Sequence, residues 1–148
     1  MKILMVCLGN ICRSPLAEGI LQSKVTDSVF VDSAGTAGYH VGELPDVRSI
    51  EVAKKYGIDI TNQQSRKFSV EDFDIFDVIY AMDVSNYDNI LKLARNQFDE
   101  AKVKMILNEI NPNSNNNVPD PYYGGDLGFE NVYQMLDTAC EIIVKKIQ

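Results

Sequence analysis

Val6-Cys7-Leu8-Gly9-Asn10-Ile11-Cys12-Arg13-Ser14 continues the apolar run Ile3-Leu4-Met5 and is followed by Pro15. Residues 2–6 are short, apolar and β-prone, the pattern of a buried strand. Ser14-Pro15 reads as a helix start, with Ser14 as N-cap and Pro15 at the first helical position. Strand, glycine-containing loop and helix start therefore follow one another within about a dozen residues. Such a loop curls its backbone N–H groups into a cup, and the helix behind it adds unpaired donors and the positive end of its dipole. The seat fits an anion of phosphate shape.

Two side chains give the seat chemistry. A cysteine thiol ordinarily titrates at about 8.5, and a helix N-terminus with a nearby arginine lowers that value. Cys7, at the strand end, is therefore expected as a thiolate near neutrality, beneath the bound anion. Arg13 stands six positions later, with a planar fork of donors that matches two phosphate oxygens. Phosphoryl transfer needs positioning and neutralisation of the equatorial oxygens, and this loop offers both without a metal. Gly9 is expected to supply a left-handed backbone angle, with Asn10 the next most tolerant. Ser14 can also donate its hydroxyl to the Cys7 sulfur. A Cys and an Arg at this spacing arise by chance elsewhere; the strand before them and Gly-Asn and Ser-Pro around them make the pattern specific.

Outward from this loop, helices and strands alternate. The first helix runs from Pro15 to near Ser28, with Leu16, Ile20 and Leu21 on one face, and Val29–Gly35 is strand two. A glycine-rich loop to Pro45 carries Tyr39 and His40. Asp46–Tyr56 is a helix with Val47, Ile50 and Ala53 inward, stopped by Gly57. Ser69-Val70-Glu71-Asp72 resembles a capping box that opens a short helix. Asp77–Met82 is strand three, and Asp83 caps the next helix, which buries Tyr87, Ile90 and Ala94. Lys102–Leu107 is strand four. The Asn-, Pro- and Gly-rich stretch Asn108–Gly128 is long enough to be functional or disordered. Phe129–Ile147 places Phe129, Val132, Tyr133, Leu136, Cys140, Ile143 and Ile147 in one apolar stripe. The pattern predicts an α/β fold, a single domain over 1–148, with a four-stranded, mainly parallel sheet flanked by helices on both faces. Ligands in such sheets bind beyond the carboxyl ends of the strands, where the Cys7 loop leaves strand one.

Composition sets the bounds. The 148 residues carry a net charge of −7 with 45% hydrophobic residues, an ordinary globular balance for one core. The acidic balance argues against nonspecific nucleic-acid binding, so anion capture must be local. No apolar run reaches membrane-spanning length and the N-terminus lacks signal-peptide architecture, so a cytoplasmic protein with no membrane partner is expected. Three cysteines, two in one loop, do not form a disulfide framework. No cluster has metal-ligand spacing, and neither metal nor other cofactor is expected.

The sequence resembles the low-molecular-weight protein tyrosine phosphatases over essentially its whole length. Val6 to Glu18 carries the first motif and Asp120-Pro121-Tyr122-Tyr123-Gly124 the second, with weaker matches at Asp32-Ser33, Val41-Gly42, Gly57-Ile58 and Ala81 to Asn86 in the family's order. The resemblance implies hydrolysis of phosphotyrosine through a Cys7 phosphoenzyme. Leu8, Gly9, Asn10, Ile11, Cys12, Arg13 and Ser14 then form the phosphate-binding loop, and Asp120 is the general acid and base.

Pro119 and Pro121 stiffen the backbone around Asp120, although Pro-Asp-Pro is also ordinary turn chemistry. Tyr39 and Tyr122 match the family's aromatic walls for a phosphotyrosine ring; Tyr123 is either a further wall or a loop anchor. Ile11 lines the same slot. Relatives acting on phosphoarginine tend to carry Thr there, so Ile11 favours phosphotyrosine. Cys12 is either a small packed residue or, as the resemblance implies, the partner of Cys7 in a protective disulfide under peroxide. Cys140 is core. His40 is expected to be solvated, without a partner. Several family members bond a His in the segment matching Asn62 to the residue matching Asn10; this chain lacks it and leaves Ser33 to do part of that work. The resemblance implies a phosphotyrosine protein as partner, a tyrosine kinase among the candidates. Alternatives on the same fold are an arsenate reductase, which needs relay cysteines absent between Cys12 and Cys140, and a phosphocysteine carrier, which should avoid an acid such as Asp120. A noncatalytic phosphopeptide-binding module would not need the thiolate at all.

Overall fold

The computed structural model describes residues 1–123 and 125–147, and for residues 123, 125 and 126 the backbone alone. Gly124 of the second motif and the side chain of Tyr123 therefore lie outside the described part. Four strands, β1 (Lys2–Cys7), β2 (Phe30–Gly35), β3 (Val78–Ala81) and β4 (Val103–Met105), form one sheet in the order β2-β1-β3-β4. Every pairing is parallel, so the sheet is wholly rather than mainly parallel.

The apolar run of β1 explains why it is central. Ile3, Met5 and Cys7 face one core layer while Leu4 and Val6 face the other, the two-residue period of a strand covered on both sides. The first layer is closed by α1 (Arg13–Lys24), α2 (Val47–Lys55) and α6 (Gly125–Ile147), and the second lies under α3 (Asp72–Ile75) and α4 (Val84–Leu91), with α5 (Gln97–Lys102) leading into β4. Leu16, Ile20 and Leu21 of α1 are fully buried, worth roughly 1.5–3 kcal/mol each. The chain leaves β1 towards β2 on one side and reaches β3 on the other, so a crevice opens at the carboxyl end of β1.

Several local expectations shift. Helix α1 begins at Arg13, and its N-cap is Cys12 without a side-chain bond; Ser14 lies inside the first turn, where its hydroxyl serves another purpose. In α2 the buried residues are Ser49, Val52 and Ala53, with Ile50 partly buried against the core, while Val47 is 65% exposed. Helix α5 has no apolar periodicity to announce it. Its N-cap Asn96 accepts from the Asp99 N–H, and Phe98 points outward, 82% exposed. Strand β4 is shorter than expected and passes into a 3-10 turn, Ile106–Glu109. Helix α6 starts four residues before Phe129, after a second 3-10 turn at Pro121–Tyr123. Among the described residues no helix is long and apolar enough to cross a membrane.

Candidate active site

Five carbonyls of the loop after β1 are held by groups outside it. Cys7 O accepts from Thr36 N, Leu8 O from Ala37 N, and Ile11 O from Asp46 N, at 2.7–2.9 Å. Gly9 O accepts from Ser65 Oγ at 3.0 Å and Cys12 O from Ser49 Oγ at 3.3 Å. The amides of Gly9, Ile11 and Cys12 have no acceptor among the described residues. Asn10 N donates to Cys7 Sγ at 3.3 Å. It is Asn10, not Gly9, that takes the left-handed conformation, with φ 57°. Gly9 is needed for close approach instead, since a Cβ there would lie 3.0 Å from His40 Cδ2. Gly35 likewise lets β2 end against the loop; a Cβ would meet Leu8 O at 2.7 Å.

The left-handed Asn10 is held at both ends of its amide. Its Oδ1 accepts from Arg66 N at 3.0 Å, and its Nδ2 donates to Ser14 Oγ at 2.8 Å and Ser33 Oγ at 3.0 Å. Ser33 thus takes the work left open by the missing histidine, with Ser14 and the Arg66 amide beside it. Ser14 Oγ also lies 2.9 Å from Cys7 Sγ. The side chain the sequence suggested as a helix cap is engaged with the sulfur.

Arg13 is buried, and its Nη1 donates to Asp83 Oδ2 at 2.6 Å and to Val118 O at 3.0 Å. Burial works against its charge, but Cys7, Asp83 and Asp120 outweigh that and raise its pKa. Val118 N in turn donates to Met82 O at 2.8 Å, and Asn117 Oδ1 accepts from Val84 N at 2.8 Å. These bonds dock the long segment after β4 onto the end of β3 and carry Asp120 to the mouth of the loop. Asp120 Oδ2 stands 3.7 Å from Arg13 Nη2, and its Oδ1 accepts from Tyr122 N at 3.1 Å.

Cys7, Leu8, Gly9, Ile11, Cys12, Arg13 and Asp120 line one cavity of about 250 Å³ with Tyr39, His40 and Tyr122. Tyr39 is 79% exposed at the rim. Tyr122 is braced by the Arg48 guanidinium, 5.4 Å from its ring centre, which Asp46 holds through two side-chain bonds of 3.1 Å. Burial and the acids around it push the Cys12 thiol up to about 12. His40 departs from the expectation of a free, solvated ring. It joins the cavity wall and its Nδ1 pairs with Glu43. Ser65 explains the placement, since it donates from N to Glu43 O, accepts from Gly42 N and bonds Gly9 O, tying the His40 loop to the anion loop. Sequence reasoning also took Asp83 for a helix cap alone and gave Glu18 no role. The usable signal for Glu18 was a carboxylate set among Leu16, Ala17, Ile20 and Leu21.

Residues 2–148 match the family described as low molecular weight phosphotyrosine protein phosphatase. The chain is 42% identical to a low molecular weight phosphotyrosine protein phosphatase of Schizosaccharomyces pombe, covering 99% of this chain and 96% of that one. A crystal structure of a protein tyrosine phosphatase from Entamoeba histolytica superposes with a TM-score of 0.92 at 39% identity, covering 99% and 96% of the two chains. An arginine phosphatase of Drosophila gives the same TM-score at 34% identity, with 100% and 98% covered.

Proposed function

The chain belongs to the low molecular weight phosphotyrosine protein phosphatase family, whose members are hydrolases, and from that premise we propose that it cleaves phosphotyrosine in proteins through a phosphocysteine on Cys7. The observation that carries this reading is the gathering of Cys7, Arg13 and Asp120 on one cavity from opposite ends of the chain. The unengaged amides of Gly9, Ile11 and Cys12 and the Arg13 fork bind the phosphoryl oxygens, a preorganised set of donors aimed at developing charge. Ser14 Oγ and Asn10 N hydrogen-bond the sulfur in its anionic form.

In the first half-reaction the Cys7 sulfur forms a bond to phosphorus as the ester P–O bond breaks. Asp120 gives its proton to the departing phenolic oxygen. In the second, Asp120, now the carboxylate, takes a proton from a water whose oxygen attacks phosphorus. The S–P bond breaks, and Cys7 and inorganic phosphate are released. Tyr39 and Tyr122 flank the phenol ring, and Ile11 lines the slot. Tyr123 is proposed as a neighbouring contact on the same segment. The physiological partner is a phosphotyrosine protein, with the kinase that made it as the first candidate.

Hydrolysis of p-nitrophenyl phosphate by the wild type, abolished by Cys7→Ser and inhibited by vanadate, is the expected result. Acid-quenched reactions should hold phosphate on Cys7. Turnover by Cys7→Ser would overturn the scheme.

A further inference from the structure

Glu18 lies on α1 four residues after Ser14, so both project from one side of the helix. Its Oε1 accepts from Ser33 Oγ at 2.7 Å. From there the bonds run without a break. Ser33 Oγ accepts from Asn10 Nδ2 at 3.0 Å, Asn10 Nδ2 also donates to Ser14 Oγ at 2.8 Å, and Ser14 Oγ lies 2.9 Å from Cys7 Sγ. The structure assigns Glu18 the role of a positioning residue for the reaction at Cys7, the terminal acceptor that takes the Ser33 hydroxyl hydrogen and so turns the Ser33 lone pairs to hold Asn10 in place. The assignment rests on the reading of Cys7 as nucleophile.

Hydrogen bookkeeping gives the direction. A carboxylate only accepts, so Ser33 must donate to Glu18 and turn its lone pairs to Asn10. Asn10 then presents its NH₂ to both serines and its carbonyl to Arg66 N, which fixes the flip of the amide. One amide hydrogen is spent on Ser14 Oγ, so the Ser14 hydroxyl hydrogen is left for the sulfur. Its only other acceptor among the described residues is Ala34 O at 3.5 Å. With a protonated Glu18 donating to Ser33, the Ser33 hydrogen loses its acceptor, and the hydroxyl that holds Asn10 is no longer fixed in orientation.

Glu18 is poised for that change. It borders a cavity of about 270 Å³ and forms no ion pair among the described residues. The charged groups around it are Asp32 on β2, Arg66 before α3, and Asp59 across the cavity. Burial pushes its carboxyl up to about 7, with Asp32 adding to the rise and Ser33 and Arg66 opposing it.

The test measures alkylation of Cys7 by iodoacetamide between pH 5.5 and 8.5, alongside kcat/KM for p-nitrophenyl phosphate. Cys12 and Cys140, both buried and pushed up to about 12, stay silent in this range. Glu18→Ala should slow alkylation at pH 8, where Glu18 is the carboxylate, by about threefold or more, and Ser33→Ala likewise. The double variant should be no slower than the slower single one, because both cut the same chain. Glu18→Gln keeps an acceptor for Ser33 and should recover most of the rate, yet lose the step in reactivity between pH 6 and 8. Thermal melts confirm folding, and Ser33→Ala probes the chain from its other side should Glu18→Ala fail to fold. Alkylation of Glu18→Ala superposing on wild type, or losses that add in the double variant, would overturn the assignment. A wild type that hydrolyses no aryl phosphate would sink the phosphatase reading instead, while alkylation still decides the role of Glu18.

Discussion

Asp83 joins two structural duties in one carboxylate: its Oδ2 accepts from Arg13 at 2.6 Å, and its Oδ1 caps α4 by accepting from Asn86 N at 2.7 Å. Asp83→Asn should separate them, since asparagine caps as well as aspartate but gives the buried guanidinium no charge. We expect kcat/KM for aryl phosphates to fall by about tenfold or more in Asp83→Asn, with stability within about 1 kcal/mol of wild type. Asp83→Ala should lose activity to a similar extent and about a further 1 kcal/mol from the missing cap. Steady-state kinetics and urea titration read the two effects separately.

Asp120 reaches the cavity through the bonds of Asn117 and Val118 to the end of β3. In its proposed role as proton donor it should matter most where the leaving oxygen is most basic. Asp120→Ala is therefore expected to lower kcat by roughly 10²–10⁴ for an alkyl phosphate and by less for p-nitrophenyl phosphate. Equal losses across leaving groups of different basicity would assign Asp120 to binding.

Ile11 is the residue by which phosphotyrosine is preferred over phosphoarginine in this reading. Ile11→Thr should narrow the ratio of kcat/KM between a phosphotyrosine and a phosphoarginine peptide by about tenfold, a methyl-scale change in an apolar slot. Assaying both peptides with both proteins checks it, and the structural likeness to an arginine phosphatase makes the comparison informative.

Cys7 and Cys12 share the loop, and both are free thiols. Peroxide should oxidise Cys7 to the sulfenic acid, and attack by the Cys12 sulfur should then release water and form a disulfide. Because burial and Asp46 hold the Cys12 thiol up to about 12, closure should accelerate with pH across the neutral range. Mass spectrometry after mild peroxide should show the bridge, and Cys12→Ser should go on to irreversible oxidation of Cys7.

Glu18 also predicts a slope in stability. Its carboxyl is raised from 4.5 to about 7 by burial, so the folded protein binds the extra proton between those values. Stability from this group is then greatest below pH 4.5 and declines as pH rises through 7, opposite in sign to an ion-paired acid. Glu18→Gln removes the slope. Its unfolding free energy relative to wild type should rise by up to roughly 3 kcal/mol between pH 4 and pH 8, read from urea midpoints.

Much of this was written in the chain. The strand, loop and helix around Cys7 announce themselves because propensity, turn chemistry and apolar pattern agree there, and Asp120 is marked by its flanking prolines. The contacts that cross between elements were not legible. Asp83 carries a cap signal that hides its hold on Arg13, since capping is local and the ion pair spans 70 residues. His40 looked solvated because nothing nearby in sequence shows that Ser65 ties its loop to Gly9. Asn10 took the left-handed angle expected of Gly9, since its side chain is held from both ends while the glycine was needed for room. Helix α5 escaped because its one large apolar residue, Phe98, faces outward.

Val118 grips Met82 through its N–H and Arg13 through its carbonyl. Peeling that residue from the sheet would displace the acid and unfasten the guanidinium in a single event. With Cys7 as the proposed nucleophile, breathing there should idle the site as a whole, without a half-armed population that captures phosphate on sulfur and then stalls.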